Sequence, residues 1–153
     1  MSRLFDLAEF VRKAQRRLRY GDLSRMRLQL LRLEWKGDRA ECDWLMRPPD
    51  PWDADLPTQI AETHQSLQAL KDALTLRNLI FDTFPGLDRA ELRMFRVGVD
   101  QSPVLIMTGS VERINEVLPR VASVAMQAKL CGFRFSLAEG VLESVSAHSV
   151  NCA

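Results

Sequence analysis

Apolar side chains recur at steps of three or four between residues 57 and 84. Ile60, His64, Leu67, Leu70, Leu74, Asn78 and Phe81 share one face of a helix with that spacing. Leu76, Leu79 and Ile80 add a second apolar face, so the later half is apolar nearly all round, as in a helix that the rest of the fold encloses. Pro57 suits its first turn, and Pro85-Gly86 stops it. The other segments read as cover for this helix.

Residues 3–19 carry a narrower stripe, Leu4, Leu7, Ala8, Val11, Ala14 and Leu18, which predicts an amphipathic helix. Ser2 is its expected N-cap, and Gly21 can take the left-handed conformation that closes it. The period then changes to two. Met26, Leu28 and Leu30 alternate with polar residues, the phase slips by one, and Leu31, Leu33 and Trp35 continue. A slip of that kind marks a β-bulge. Gly37-Asp38 suits a type II′ turn with Gly first. The returning strand places Ala40, Cys42, Trp44 and Met46 inward. The expected pairs are Trp35 with Ala40, Leu33 with Cys42 and Leu31 with Trp44, with Arg32 facing Asp43 and Glu34 facing Glu41 outside.

Residues 47–57 hold four of the seven prolines among Asp50, Asp53 and Asp55, and read as a stiff linker pinned by Trp52. After the long helix, residues 92–99 and 104–108 predict a second hairpin. The unbroken run Val104-Leu105-Ile106-Met107 predicts a strand covered on both faces. Ser110 is the expected cap of a third helix through Ile114, Val117, Leu118, Val121, Val124, Ala125 and Ala128. Pro119 either kinks that helix or, as favoured here, opens its main part. Gly132 ends it, and a last hairpin joins 133–137 to 141–145, followed by a frayed tail at 146–153. The fold expected is a single α+β domain over residues 1–153, in the order α-ββ-α-ββ-α-ββ. Its sheet is mainly antiparallel, built from three hairpins with three helices.

Composition narrows the function classes. The 153 residues are 46% hydrophobic and 27% charged, which suits a folded domain with a real core. No run is long enough to span a bilayer, and Asp6 and Glu9 break up any secretory leader. Three widely separated cysteines, Cys42, Cys131 and Cys152, favour free thiols and a cytoplasmic setting. The net charge of +1 is unevenly spread. Residues 1–47 hold twelve basic against seven acidic side chains, and residues 48–91 hold three against eight. An anionic partner for the first part, or a contact between the two parts, would explain the asymmetry.

Catalytic chemistry is poorly represented. His64 sits on the expected buried stripe without local partners, and reads as a core or boundary histidine. Cys42 is expected inside, where a thiol stays protonated. The cysteines lack zinc spacing, and Asp50, Asp53 and Asp55 lack the glycine and closing glutamate of a calcium loop, so neither a metal site nor a cofactor is expected. The basic residues Arg12, Lys13, Arg16, Arg17 and Arg19 of the first helix, followed by Arg25, Arg27 and Arg32, form a patch that could bind an anion or a partner. Basic residues late in a helix also satisfy its dipole, and no aromatic residue is interleaved for base stacking. Trp35, Trp44 and Trp52 are either core or one aromatic interface. The chain therefore reads as a protein-interaction or structural module rather than an enzyme, and the surplus of apolar faces suggests a homo-oligomer. The rival readings are a nucleic-acid or anion binder using the basic helix, and a small-molecule or catalytic domain whose pocket reaches His64 or Cys42.

Overall fold

The computed structural model describes residues 3–19, 26–113 and 123–145, with the backbone alone for residues 3–6 and 36. Ser2, Gly21, Pro119 and the tail at 146–153 lie outside the described residues. Helix α1 spans Arg3–Arg17 and helix α2 spans Thr58–Thr83. The strands are β1 (Gln29–Lys36), β2 (Arg39–Leu45), β3 (Arg89–Val97), β4 (Pro103–Glu112), β5 (Phe133–Arg134), β6 (Leu137–Ala138) and β7 (Val141–Leu142). Helix α3 spans Val124–Leu130.

The α+β class holds, but the sheet is mixed. Five strands lie in the order β1-β2-β3-β4-β5, and β6-β7 form a separate pair. Strand β2 pairs with β3 in parallel, Ala40 opposite Ala90 and Cys42 opposite Leu92. The reason is the long helix. At about 1.5 Å per residue, the 26 residues of α2 run roughly 39 Å, enough to carry the chain back to the end of the sheet where β2 began. Adjacent hairpins would have given an antiparallel join; a helical crossover gives a parallel one.

The first hairpin follows the expected register closely. Trp35 pairs with Ala40, Leu33 with Cys42, Arg32 with Asp43 and Glu34 with Glu41. The turn has Gly37 at φ +63°, and the Trp35 indole N–H donates to the Gly37 carbonyl at 2.6 Å. One pair differs: Leu30, not Leu31, faces Trp44. Leu31 is the extra residue of the bulge and stands 43% exposed. A second bulge lies within 104–107. Met94 pairs with Met107 and Phe95 with Leu105, so Ile106 has no opposite residue. The unbroken apolar run spans that irregularity: Ile106 and Met107 are fully buried, Val104 and Leu105 partly, and β4 lies inside the sheet between β3 and β5.

In α2 the buried residues are Ser66, Ala69, Leu70, Ala73, Leu76, Leu79, Ile80 and Thr83, with Gln68, Asp72 and Phe81 beside them. The expected stripe is thus displaced. Ile60 and Asn78 are exposed, and it is the Leu76-Ile80 face that meets the core. In α1 the same rotation brings Phe10 inward with Ala14 and Leu18, while Ala8 is exposed. Phe10 packs on Phe84 with ring centroids 5.8 Å apart. Trp44, Leu92, Met94, Ile106 and Met107 complete the core from the sheet side. The C-terminal end of α2 is closed by Arg113, whose guanidinium donates to the carbonyls of Phe81, Phe84 and Leu87 at 2.8 to 3.1 Å.

The third unit departs most. Ser110 lies in β4, which continues to Glu112. Ser123 caps α3 instead, its hydroxyl accepting from the Met126 N–H at 3.2 Å. Gly132 does follow the helix, at φ +108°. The expected last hairpin is split between two partners. Phe133 pairs with Gly109 of β4, where a side chain would approach the Phe133 ring to 2.8 Å, so only glycine leaves room. Residues 137–138 then pair with 141–142, and the Leu142 N–H donates to the Ser66 hydroxyl of α2 at 2.9 Å.

Candidate functional site

Strand β1 is the outer strand of the sheet, and the last two turns of α1 lie beside it. The amphipathic pattern of α1 explains the arrangement. Its buried face is spent on the core, so the next residues round the helix, Val11 and Gln15, look toward β1. Between the two elements runs an open groove of about 810 Å³. Its floor is apolar: Val11, Ala14 and Leu18 from α1, and Leu28, Leu30, Leu31 and Leu33 from the strand side. Arg19, Arg27 and Arg32 rim it, and among the described residues no carboxylate lines it.

Arg32 is bound to three carboxylates. It reaches Glu41 at 2.7 Å, Glu34 at 3.1 Å and Asp43 at 3.2 Å on the outer face of the sheet. The first of these carboxylates, Glu41, contributes most to raising its pKa, so it stays charged but is largely neutralised. Arg93 adds a bidentate contact to Asp43, at 2.7 and 3.0 Å. Arg27 and Arg19 on the rim are exposed, as are Arg16 and Arg17 in the last turn of α1. Lys13 is half-buried, and Arg12 is held at 2.8 Å by Glu9. Of the five basic residues expected on α1 to bind an anion or partner, Arg19 lines the groove.

The three tryptophans are not brought together. Trp44 is wholly buried, and its indole N–H has no hydrogen-bond partner among the described residues. Trp35 stands edge-on to Phe84 at 4.8 Å. Trp52 is 77% exposed on a turn of 3-10 helix at Pro51–Asp55. A single aromatic patch is thereby corrected: inward alternation took Trp44 to the core, and only Trp52 is free to meet a partner as an anchor.

The chemistry-bearing residues stand apart. Cys42 is buried and its thiol is pushed up to about 12, first by desolvation and then by the charge of Asp43. Desolvation also raises Cys131. His64 is partly exposed, 3.8 Å from Asp53. Neither Cys42 nor His64 lines the groove beside α1, nor the smaller depressions of about 520 and 380 Å³ near the linker. Among the described residues no cluster of three or more His, Cys, Asp or Glu is arranged to hold a metal, and no helix is long and apolar enough to cross a membrane.

The fold and groove define a small α+β protein with an apolar, basic-rimmed surface beside the edge of a mixed sheet. No protein-family model, curated protein or solved structure matches the chain. The alternating residues of β1 and the arginines of α1 were visible in the sequence as separate features. Their juxtaposition was not, because it depends on β1 being the outer strand. The one local signal was the phase slip at Leu31, which turns a leucine outward.

Proposed function

We propose that this protein is a protein-interaction module that binds its partner in the groove between α1 and β1. The observation that carries the reading is the lining: seven apolar residues and three arginines, with no carboxylate among the described residues, beside the outer strand. Apolar surface gathered into a groove and rimmed by one sign of charge suits a partner with apolar and acidic side chains. The bulge at Leu31 interrupts the edge, which discourages simple strand addition and leaves recognition to side chains. Phosphate could be held by the same arginines, but among the described residues no aromatic side chain lines the groove for bases to stack on.

A photo-activatable residue at Gln15 tests this, with one at Ser110 on the far face of the sheet as control. A nuclease-resistant protein adduct from Gln15 alone is the expected result. Adducts that nuclease removes would favour the nucleic-acid reading, and equal labelling from both positions would refute the groove as the site.

A further inference from the structure

One other surface of this chain has the opposite character. From Pro48 to Leu70 there is no lysine or arginine. The linker turn at Pro51–Asp55 carries Asp53 and Asp55, and its start is fixed by the Asp50 carboxylate, which accepts the Trp52 N–H at 3.0 Å. Trp52 is 77%, Leu56 37% and Ile60 44% exposed, so three large apolar side chains stand out beside acidic ones. None of these residues lines the α1–β1 groove of its own chain.

We propose that the linker turn of one copy docks in the α1–β1 groove of a second copy. Trp52 and Leu56 enter the apolar floor, and Asp53 and Asp55 meet Arg19 and Arg27. The inference rests on the groove being a docking site and names its occupant. Three observations support it. The charges match, a basic first third against an acidic middle, with three arginines and no carboxylate among the described groove residues and no lysine or arginine from Pro48 to Leu70. An exposed tryptophan is the residue type that most often anchors an interface from a pocket, and here it has no cover. The turn is stiffened by Pro48, Pro49, Pro51 and Pro57, so little conformational freedom is lost when it docks. Reciprocal docking closes a two-fold dimer, and one-way docking would extend a chain of copies.

Sedimentation of the full chain tests the proposal. Wild-type protein should self-associate, and more weakly as salt is raised. Arg19→Glu with Arg27→Glu should weaken association at least about tenfold, as should Asp53→Lys with Asp55→Lys. Mixing these two variants should restore a complex, because one retains the turn and the other the groove. A chain carrying all four reversals should associate with itself again. Circular dichroism confirms that each variant is folded, and the exposed Trp52→Ala gives a second loss of association that does not depend on charge. Wild-type protein with the mass of one chain at millimolar concentration and low salt would overturn the inference, as would failure of the mixed variants to associate. Neither result touches the crosslinking from Gln15, which stands or falls with the groove itself.

Discussion

Asp72→Ala should be among the most destabilising single changes in this protein, and the reason lies in one buried ion pair. Arg47 follows the end of β2, yet its side chain is 2% exposed, and that of Asp72 on α2 is 4% exposed. The guanidinium donates through Nε to Oδ2 at 2.7 Å and through Nη2 to Oδ1 at 3.1 Å. Its Nη1 donates to the Met26 carbonyl at 2.6 Å, just before β1, and the Gln68 amide donates to Oδ1 of Asp72 at 2.9 Å. One arginine therefore ties the approach to β1, the exit from β2 and the middle of α2. Removing the carboxylate leaves a buried charge uncompensated, at a cost of about 3 to 5 kcal/mol. A domain of this size is stable by roughly 5 to 15 kcal/mol, and about 2 to 4 °C of Tm goes with each kcal/mol, so the midpoint should fall by about 6 to 20 °C.

Urea unfolding at neutral pH, followed by circular dichroism, would measure wild type, Asp72→Ala, Arg47→Met and the double variant. Arg47→Met strands the carboxylate and should cost a similar amount. The double variant removes both charges; what it still lacks is the donor to the Met26 carbonyl and the acceptor of the Gln68 amide, losses of about 1 to 3 kcal/mol each. It should therefore be less damaged than the sum of the singles by at least about 2 kcal/mol. A cost under about 1 kcal/mol for either single variant, or singles that add to within about 0.5 kcal/mol, would show that Arg47 and Asp72 are not a coupled buried pair.

Three further outcomes are expected. Arg113→Ala should lower stability by about 2 to 4 kcal/mol in the same assay, since three carbonyls in the last turn of α2 and the loop after it lose a charged donor, and Arg113→Lys should recover little because an ammonium lacks the planar spread of a guanidinium. Gly109→Ala should cost about 1 to 3 kcal/mol, because its new methyl would meet Phe133 at 2.8 Å; Phe133→Leu in the same chain should return part of that. Cys42 should resist thiol reagents until the protein unfolds. Its folded thiol titrates near 12 against an ordinary 9.0, so the unfolded chain ionises first. Stability should fall as pH rises across that interval, by up to about 1.4 kcal/mol per pH unit, and Cys42→Ala should flatten the slope.

Much of the local structure could be read from the residues, and most of the long-range structure could not. The first hairpin was legible because turn chemistry and alternation agree on one register, and only Leu31 was misplaced within its bulge. The parallel join of β2 to β3 was hidden because it is set by the length and path of α2, not by either strand. The third unit failed for a related reason. Ser110 is a good cap by composition, but pairing with Glu91 of β3 keeps it in a strand. Buried polar groups were the other blind spot. Asp72 and Ser66 interrupt the apolar pattern of α2, and nothing local indicates that Arg47 and the Leu142 N–H complete them. The basic residues of the first helical segment were plain, whereas the groove that Arg19 lines requires Leu28, Leu30 and Leu33 from another element.

The groove and the buried pair are mechanically connected. An outer strand is held by one neighbour only, so β1 needs a second restraint if the groove is to keep its shape. Arg47 supplies it by holding the Met26 carbonyl, three residues before β1, against α2. The bulge at Leu31 has the complementary effect, twisting the edge so that a second sheet cannot simply add to it. Together they keep an apolar surface open and shaped while blocking the unspecific pairing that such a surface invites. A partially destabilised Arg47→Met chain should therefore lose groove binding before it loses its fold. Binding that survives intact until global unfolding would show that β1 is held by β2 alone.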